Sequence, residues 1–134
     1  MKYLLDTHIL LWWFENHPKL PKKYSLLLDK IENAEEVTPV AVSIISFWEI
    51  AKAIEYDRLK LEFTPDQWFE DVEDHPLIEV LPLTRQIVLD STRLGPSFHK
   101  DPGDQLIAAT TRCHELRLMT VDDRIIKSGV VAIA

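Results

Sequence analysis

Residues 2–14 read KYLLDTHILLWWF, a stretch that predicts a buried strand ending in an acid and leading directly into a helix. Residues 2–6 are apolar on both faces at Tyr3, Leu4 and Leu5, which is typical of a strand inside a parallel sheet. The helix predicted over Thr7–Phe14 is apolar almost all round, so it is either deeply buried or partly an interface. The stretch therefore favours an α/β fold.

The rest of the chain continues this alternation of strands and helices. Further strands are predicted at residues 38–43, 77–81, 117–121 and 130–133. Helices are predicted at residues 22–33, 46–56, 64–69, 84–94, 101–114 and 124–127, with Gly95 and Pro96 ending the fourth of these. Such alternation predicts a three-layer α/β/α sandwich with a central parallel sheet, formed by one domain over residues 1–134.

The composition narrows the class of protein. The chain has 134 residues, 46% of them hydrophobic, and a formal net charge of -7. No apolar run approaches the roughly 20 residues of a membrane span, and no signal peptide is recognisable. Cys113 is the only cysteine, which excludes a disulfide within the chain. We therefore expect a cytoplasmic protein without a membrane partner.

Four acidic side chains lie where a strand gives way to a helix or early in a helix. In a parallel sheet, all strand C-termini point to one edge, so these carboxylates are expected to meet there. Carboxylates packed that closely repel one another unless a cation neutralises them. All-oxygen ligands favour Mg²⁺ or Mn²⁺. The sequence predicts a divalent-metal site at Asp6, Glu49, Asp104 and Asp122.

Each acid also has a purely structural interpretation as a helix cap. Asp6 precedes the first helix, Ser46 and Glu49 have the spacing of a capping box, and Asp122 or Asp123 precedes the last helix. The run Asp101-Pro102-Gly103-Asp104 has the order of an N-cap, a proline at N1 and an acid at N3. Capping explains the type of each residue, but it does not predict that all four acids come from one edge of the sheet.

Other kinds of site are disfavoured. The five histidines lack the paired spacing of a zinc site, and His99 is expected to lie in a surface loop. Three glycines are too few for a phosphate-binding loop, and no serine has the context of a nucleophile elbow. The four tryptophans are more typical of a core or an interface than of base stacking.

Four stretches together resemble the PIN-domain ribonucleases, specifically the VapC-type toxins of toxin–antitoxin pairs. The resemblance spans the whole chain in the right order. The stretches are Tyr3-Leu4-Leu5-Asp6-Thr7-His8, Ser46-Phe47-Trp48-Glu49-Ile50, residues 99–109 (HKDPGDQLIAA) and Met119-Thr120-Val121-Asp122.

The resemblance implies roles for individual residues. Asp6, Glu49, Asp104 and Asp122 correspond to the metal-binding, catalytic acids of the family, and Thr7 and Thr120 place hydroxyl groups beside them. Asp123 adjoins Asp122, which leaves the fourth acid open between the two. Gln105 departs from the basic residue that often follows the third acid, so a phosphate contact from this position is not expected.

The resemblance implies a Mg²⁺- or Mn²⁺-dependent endoribonuclease that acts as the toxin of a toxin–antitoxin pair. RNA is then the substrate, the cognate antitoxin is the partner, and the toxin is a homodimer. The apolar segment 9–14, larger than one helix of a small domain usually buries, favours such an interface. Two alternatives are a catalytically inactive PIN-like module that only binds a partner, and a receiver-type signalling domain, although Pro82 and Leu83 stand where a receiver needs a phosphate-accepting Asp.

Overall fold

A central parallel sheet of four strands organises the computed structural model, which describes residues 1–134. The spatial order is β3-β2-β1-β4, so the N-terminal strand lies inside the sheet. All three strand pairings are parallel. The strands are β1 (Tyr3–Leu5), β2 (Val40–Ser43), β3 (Ile78–Leu81) and β4 (Arg117–Met119).

Seven helices connect and cover these strands. None of them combines the length and the apolar character that crossing a membrane requires. The helices are α1 (Thr7–Phe14), α2 (Lys22–Glu32), α3 (Ile44–Glu55), α4 (Pro65–Asp74), α5 (Arg85–Ser91), α6 (Pro102–Cys113) and α7 (Asp123–Ser128).

The two faces of the sheet bury separate hydrophobic clusters. Neighbouring residues of a strand point to opposite faces, so Leu5 joins the larger cluster and Leu4 the smaller one. Buried residues of α1, α2, α3 and α4 complete the larger cluster, whereas α6 and α7 contribute to the smaller one. This arrangement confirms the predicted three-layer α/β/α fold with a parallel sheet.

Several predicted element boundaries were wrong. The strand predicted at residues 130–133 is reduced to a single bridge between Leu118 and Ile133, because only two backbone hydrogen bonds join these segments. Helix α5 ends at Ser91, where the hydroxyl groups of Ser91 and Thr92 donate to backbone carbonyls, three residues before the predicted end. Helix α4 extends to Asp74, beyond the predicted residue 69.

The start of α3 corrects the predicted capping box. Ser43, and not Ser46, is the N-cap, and its hydroxyl oxygen accepts from the backbone N–H of Ile45. Helix α3 therefore begins at Ile44, directly after β2, and Ser46 lies inside it. Glu49 therefore has no capping role, and the capping-box interpretation of this acid is wrong.

The apolar helix α1 is largely packed within the chain. Ile9 and Leu10 are fully buried, and four further residues of the helix pack against the larger cluster while remaining partly exposed. Phe14 and Trp68 have ring centroids 5.5 Å apart. The apolar character of segment 9–14 is thus accounted for by the chain itself, and it does not require an interface.

Candidate metal centre

A cleft of about 610 Å³ lies at the edge of the sheet where β1 and β4 end. Its lining includes apolar side chains, among them Leu11, Trp12 and Ile50. It also includes acidic side chains from four separate parts of the chain. These are Asp6, Glu49, Asp101, Asp104 and Asp122, with Thr7 and Arg124 beside them.

Asp6 is buried at the junction of β1 and α1. Its Oδ1 accepts from the backbone N–H of Thr7 at 2.8 Å, which caps α1, and its Oδ2 accepts from the Thr120 hydroxyl at 2.6 Å. Burial raises the pKa of Asp6, although these two hydrogen bonds lower it in part. The capping interpretation of Asp6 is therefore correct, and the same side chain also lines the cleft.

Glu49 reaches the cleft from the second turn of α3. Its Oε1 accepts from the Thr7 hydroxyl at 2.7 Å, and the Thr7 and Ser46 hydroxyl oxygens are 2.9 Å apart. The pKa of Glu49 is raised from 4.5 to about 7, mainly by burial and also by the nearby charges of Asp6 and Asp104, although the hydrogen bond from Thr7 lowers it in part. The Glu49 carboxyl group therefore keeps its proton to a higher pH than a glutamate in an unfolded chain does.

Gly103 allows Glu49 to approach the first turn of α6. A Cβ atom on Gly103 would lie 2.7 Å from Glu49 Oε2 and 2.9 Å from its carboxyl carbon, closer than such atoms pack. Gly103 therefore leaves the space in which the Glu49 carboxylate sits beside α6. No local sequence pattern indicates this role, because it depends on a contact between residues far apart in the chain.

Asp104 occupies the N3 position of α6, whose N-cap is Asp101. Asp101 Oδ1 accepts from the Asp104 backbone N–H at 2.9 Å, as the spacing of these residues predicted. His99 Nε2 lies 2.6 Å from Asp104 Oδ2. Burial raises the pKa of Asp104, and the hydrogen bond with His99 lowers it in part.

His99 was wrongly expected to be a surface-loop residue. Its side chain is 17% exposed and is held against Asp104, while its Nδ1 is buried without a hydrogen-bond partner. Gln105 donates its side-chain amide to the His99 carbonyl at 3.2 Å. Gln105 thus fixes the segment that carries His99. The run HKDPGDQ at residues 99–105 was the only sequence signal for the contact between His99 and Asp104.

Asp122 follows β4 and caps α7. Its Oδ1 accepts from the backbone N–H of Arg124 at 2.9 Å, and its own N–H donates to the Thr120 hydroxyl oxygen at 3.1 Å. Partial burial raises the pKa of Asp122, but the hydrogen bonds from Arg124 outweigh it and leave the pKa below its usual value. Asp123 is exposed and does not line the cleft, so the geometry favours Asp122 as the fourth acid.

The donor atoms form two overlapping groups that fit a metal ion. Oxygens of Glu49, Asp101 and Asp104 lie within 4.8 Å of one another, as do the ligand atoms of His99, Asp104 and Asp122. Asp104 belongs to both groups. The set is mostly carboxylate, which suits Mg²⁺ or Mn²⁺ rather than a thiol-binding metal.

Three comparisons identify the family of the chain. Residues 3–130 match the PIN domain family. Ribonuclease VapC22 of Mycobacterium tuberculosis (strain ATCC 25618 / H37Rv) is 32% identical over 123 residues, which are 91% of this chain and 88% of that protein.

Two solved structures share the fold at low sequence identity. VapBC2 from Rickettsia felis, bound to a DNA fragment from its promoter, superimposes with a TM-score of 0.72 at 16% identity, covering 100% of this chain and 98% of the other. FitAcB from Neisseria gonorrhoeae superimposes with a TM-score of 0.68 at 21% identity, covering 98% of this chain and 95% of the other. With the sequence match over residues 3–130, these findings show that the chain belongs to the PIN domain family.

Proposed function

We propose that this protein is a divalent-metal-dependent endoribonuclease that acts as the toxin of a toxin–antitoxin pair. The observation that carries the proposal is the convergence of Asp6, Glu49, Asp104 and Asp122 on one cleft, from four separate parts of the chain. Capping accounts for Asp6 and Asp122 in part, but it does not account for Glu49. The match to the PIN domain family excludes the receiver-type alternative.

The four acids would hold Mg²⁺ or Mn²⁺. Glu49, Asp104 and Asp122 belong to the two groups of donor atoms, with Asp104 in both, whereas Asp6 belongs to neither group and lines the same cleft. When bound, such a metal lowers the pKa of a coordinated water and neutralises charge on the phosphate that is attacked. The chain itself orients the acids: the Thr120 hydroxyl fixes one oxygen of Asp6, and the Thr7 hydroxyl fixes one oxygen of Glu49. Thr7 and Thr120 are therefore positioning residues in this proposal.

RNA is the proposed substrate because the relative from Mycobacterium tuberculosis is named a ribonuclease. The net charge of -7 opposes nucleic-acid binding, so the metal has to supply the positive potential at the scissile phosphate. We also propose a cytoplasmic location, where RNA is available. The proposed partner is a cognate antitoxin, because another structure with the same fold is a toxin–antitoxin complex from Klebsiella pneumoniae. It superimposes with a TM-score of 0.67 at 20% identity, covering 98% of this chain and 96% of the other.

The direct test is cleavage of a labelled RNA by the purified chain with Mn²⁺, with Mg²⁺ and with a chelator. Cleavage is expected with either metal and not with the chelator. Asp104→Asn should abolish cleavage and weaken Mn²⁺ binding, because it removes the acid shared by both donor groups. Asp90→Asn is the matched control, since Asp90 pairs with Arg112 and does not line the cleft.

The remaining alternative is a PIN-like module that binds a partner without catalysis. It predicts no metal-dependent cleavage by the wild-type chain, although the chain would still bind the antitoxin. Full activity of Asp104→Asn, or cleavage that persists in the chelator, would overturn the metal mechanism. A wild-type chain that binds the antitoxin but cleaves no RNA with either metal would support the non-catalytic module.

A further inference from the structure

Apart from His99, which contacts Asp104, Arg124 is the one basic side chain that pairs with the acids of the cleft. Its Nη2 lies 3.3 Å from Asp122 Oδ2 and 3.6 Å from Asp104 Oδ2, so it bridges the start of α7 and the start of α6. Arg58 also lines the cleft, but it forms no ion pair there. The Arg124 side chain is 63% exposed, so solvent surrounds most of it.

These two contacts use donor atoms that a metal needs. Asp104 and Asp122 belong to one of the two groups of potential ligands. A Mg²⁺-like ion binds carboxylate oxygen at roughly 2.1 Å, which leaves the oxygen little charge for a second cation. The guanidinium and the ion also repel each other at this separation. Arg124 and a divalent metal therefore compete for the same carboxylates.

A released Arg124 remains at the mouth of the cleft. Its backbone is fixed in the first turn of α7, where its N–H donates to Asp122, so only the side chain has to move. A guanidinium presents a planar set of donors that matches phosphate and stays protonated. In a chain with a net charge of -7, such a cation beside the acids is well placed to bind a negatively charged strand.

We propose that Arg124 is a phosphate-binding residue of the RNA site, held by Asp104 and Asp122 until a divalent metal takes its place. The RNA part rests on the function proposed above, whereas the competition with metal does not. The side chain then has two successive roles. It neutralises the acids before the metal binds, and it contacts the backbone of the substrate afterwards.

The competition is tested by calorimetric titration of Mn²⁺ into the chain without RNA. Arg124→Ala should bind Mn²⁺ about two- to fivefold more tightly than the wild type, as expected for loss of a competing exposed ion pair. Arg112→Ala is the control, because Arg112 forms an ion pair of 3.2 Å with Asp90 away from the cleft. It removes the same charge and should leave the affinity unchanged. Equal affinities of Arg124→Ala and Arg112→Ala would overturn the competition.

The phosphate contact is tested by the salt dependence of RNA cleavage at saturating Mn²⁺. Arg124→Ala should lower kcat/KM and reduce the slope of log kcat/KM against log salt by about 0.7, the value for one phosphate contact on a single strand. Arg124→Lys should recover part of this slope, and Arg112→Ala should keep all of it. A slope in Arg124→Ala equal to that of the wild type would overturn the phosphate role.

The two experiments separate this inference from the proposed function. If the wild-type chain cleaves no RNA, the function fails, and the Mn²⁺ titration still decides whether Arg124 competes with metal. If the wild type cleaves RNA and both arginine variants behave alike, the function stands and the role of Arg124 is wrong. Thermal unfolding of metal-free Arg124→Ala should show a folded protein with at most a small loss of stability, because the acids lose an exposed ion pair while alanine favours the helix.

Discussion

Glu49 and two further acids of the cleft have raised pKa values in the metal-free protein. Burial and its acidic neighbours raise the pKa of Glu49 to about 7, and burial also raises the pKa of Asp6 and Asp104. In the metal-free protein, these side chains retain protons that the unfolded chain has already lost. A metal ion reverses this preference, because it binds the deprotonated carboxylates.

We therefore predict that the metal-free protein loses stability as the pH rises from about 4.5 to 7. In this range the native state binds more protons at Glu49 than the unfolded chain does, so the free energy of unfolding falls. Glu49→Gln should reduce the fall, and Mn²⁺ should stabilise the wild type increasingly toward pH 7. Urea denaturation at several pH values measures both effects. The same pH dependence in Glu49→Gln and the wild type would contradict the assigned pKa.

A substitution at Gly103 provides a second test of the metal site. It should weaken Mn²⁺ binding without lowering the stability of helix α6. Alanine is the better helix former, so Gly103→Ala should not weaken α6 itself. Its Cβ would displace the Glu49 carboxylate, and we predict about tenfold weaker Mn²⁺ binding, in the range found for altered ligand support. In a Glu49→Ala background the same change should stabilise the metal-free fold. Unchanged Mn²⁺ affinity in Gly103→Ala would show that the close contact has no consequence for the site.

The convergence of the four acids on one cleft could be predicted from the sequence, whereas the contacts of Gly103 and His99 could not. Asp6 and Asp122 follow strands, and Glu49 and Asp104 lie in the first two turns of helices; the topology of a parallel sheet brings such positions to one edge. The contact of Gly103 with Glu49 joins α6 to α3, and no local pattern encodes it. The contact between His99 and Asp104 depends on the irregular path of the loop before α6.

Three helices around the cleft begin with an acid that is also close to the site. Asp6 caps α1, Asp101 caps α6 and Asp122 caps α7 through their side-chain oxygens. Capping and lining the cleft are therefore compatible, because each carboxylate has two oxygens. The helix positions the acid, and the acid in turn completes the first turn of the helix.

Asp101 allows the capping contribution to be measured separately from its charge. Asp101→Ala removes the acceptor for the Asp104 N–H and should lower the metal-free stability by about 0.5–2 kcal/mol. Asp101→Asn keeps an acceptor and should cost much less, while it removes a negative charge near Glu49. Urea denaturation compares the two variants. An equal loss in both would indicate that charge, and not the cap, governs this position.

Boundaries were harder to predict than the elements themselves. Ser46 has the correct spacing from Glu49 for a capping box, yet Ser43 caps α3 because β2 passes directly into that helix. Residues 130–133 have the composition of a strand, but they meet β4 through a single bridge. In both cases the tertiary contacts of the neighbouring strand, and not the local sequence, determined the result.

The exposed apolar side chains of the protein bear on the predicted homodimer, which stays a prediction. Helix α1, which first favoured an interface, packs mostly within the chain. Apolar side chains are instead exposed on other helices, with Trp48 54% exposed on α3 and Val88 48% exposed on α5. We predict a homodimer at micromolar concentration, since pairing would bury such side chains. Sedimentation velocity measures it, and a strict monomer over this concentration range would contradict it.

The central claim is that Asp6, Glu49, Asp104 and Asp122 together hold a divalent metal. The most direct measurement is anomalous diffraction from crystals of the chain grown with Mn²⁺. The predicted result is a Mn²⁺ peak in the cleft at roughly 2.1 Å from carboxylate oxygens of these acids, with the Arg124 side chain moved away from Asp104. An empty cleft at millimolar Mn²⁺, with Arg124 still paired to Asp104 and Asp122, would contradict the claim.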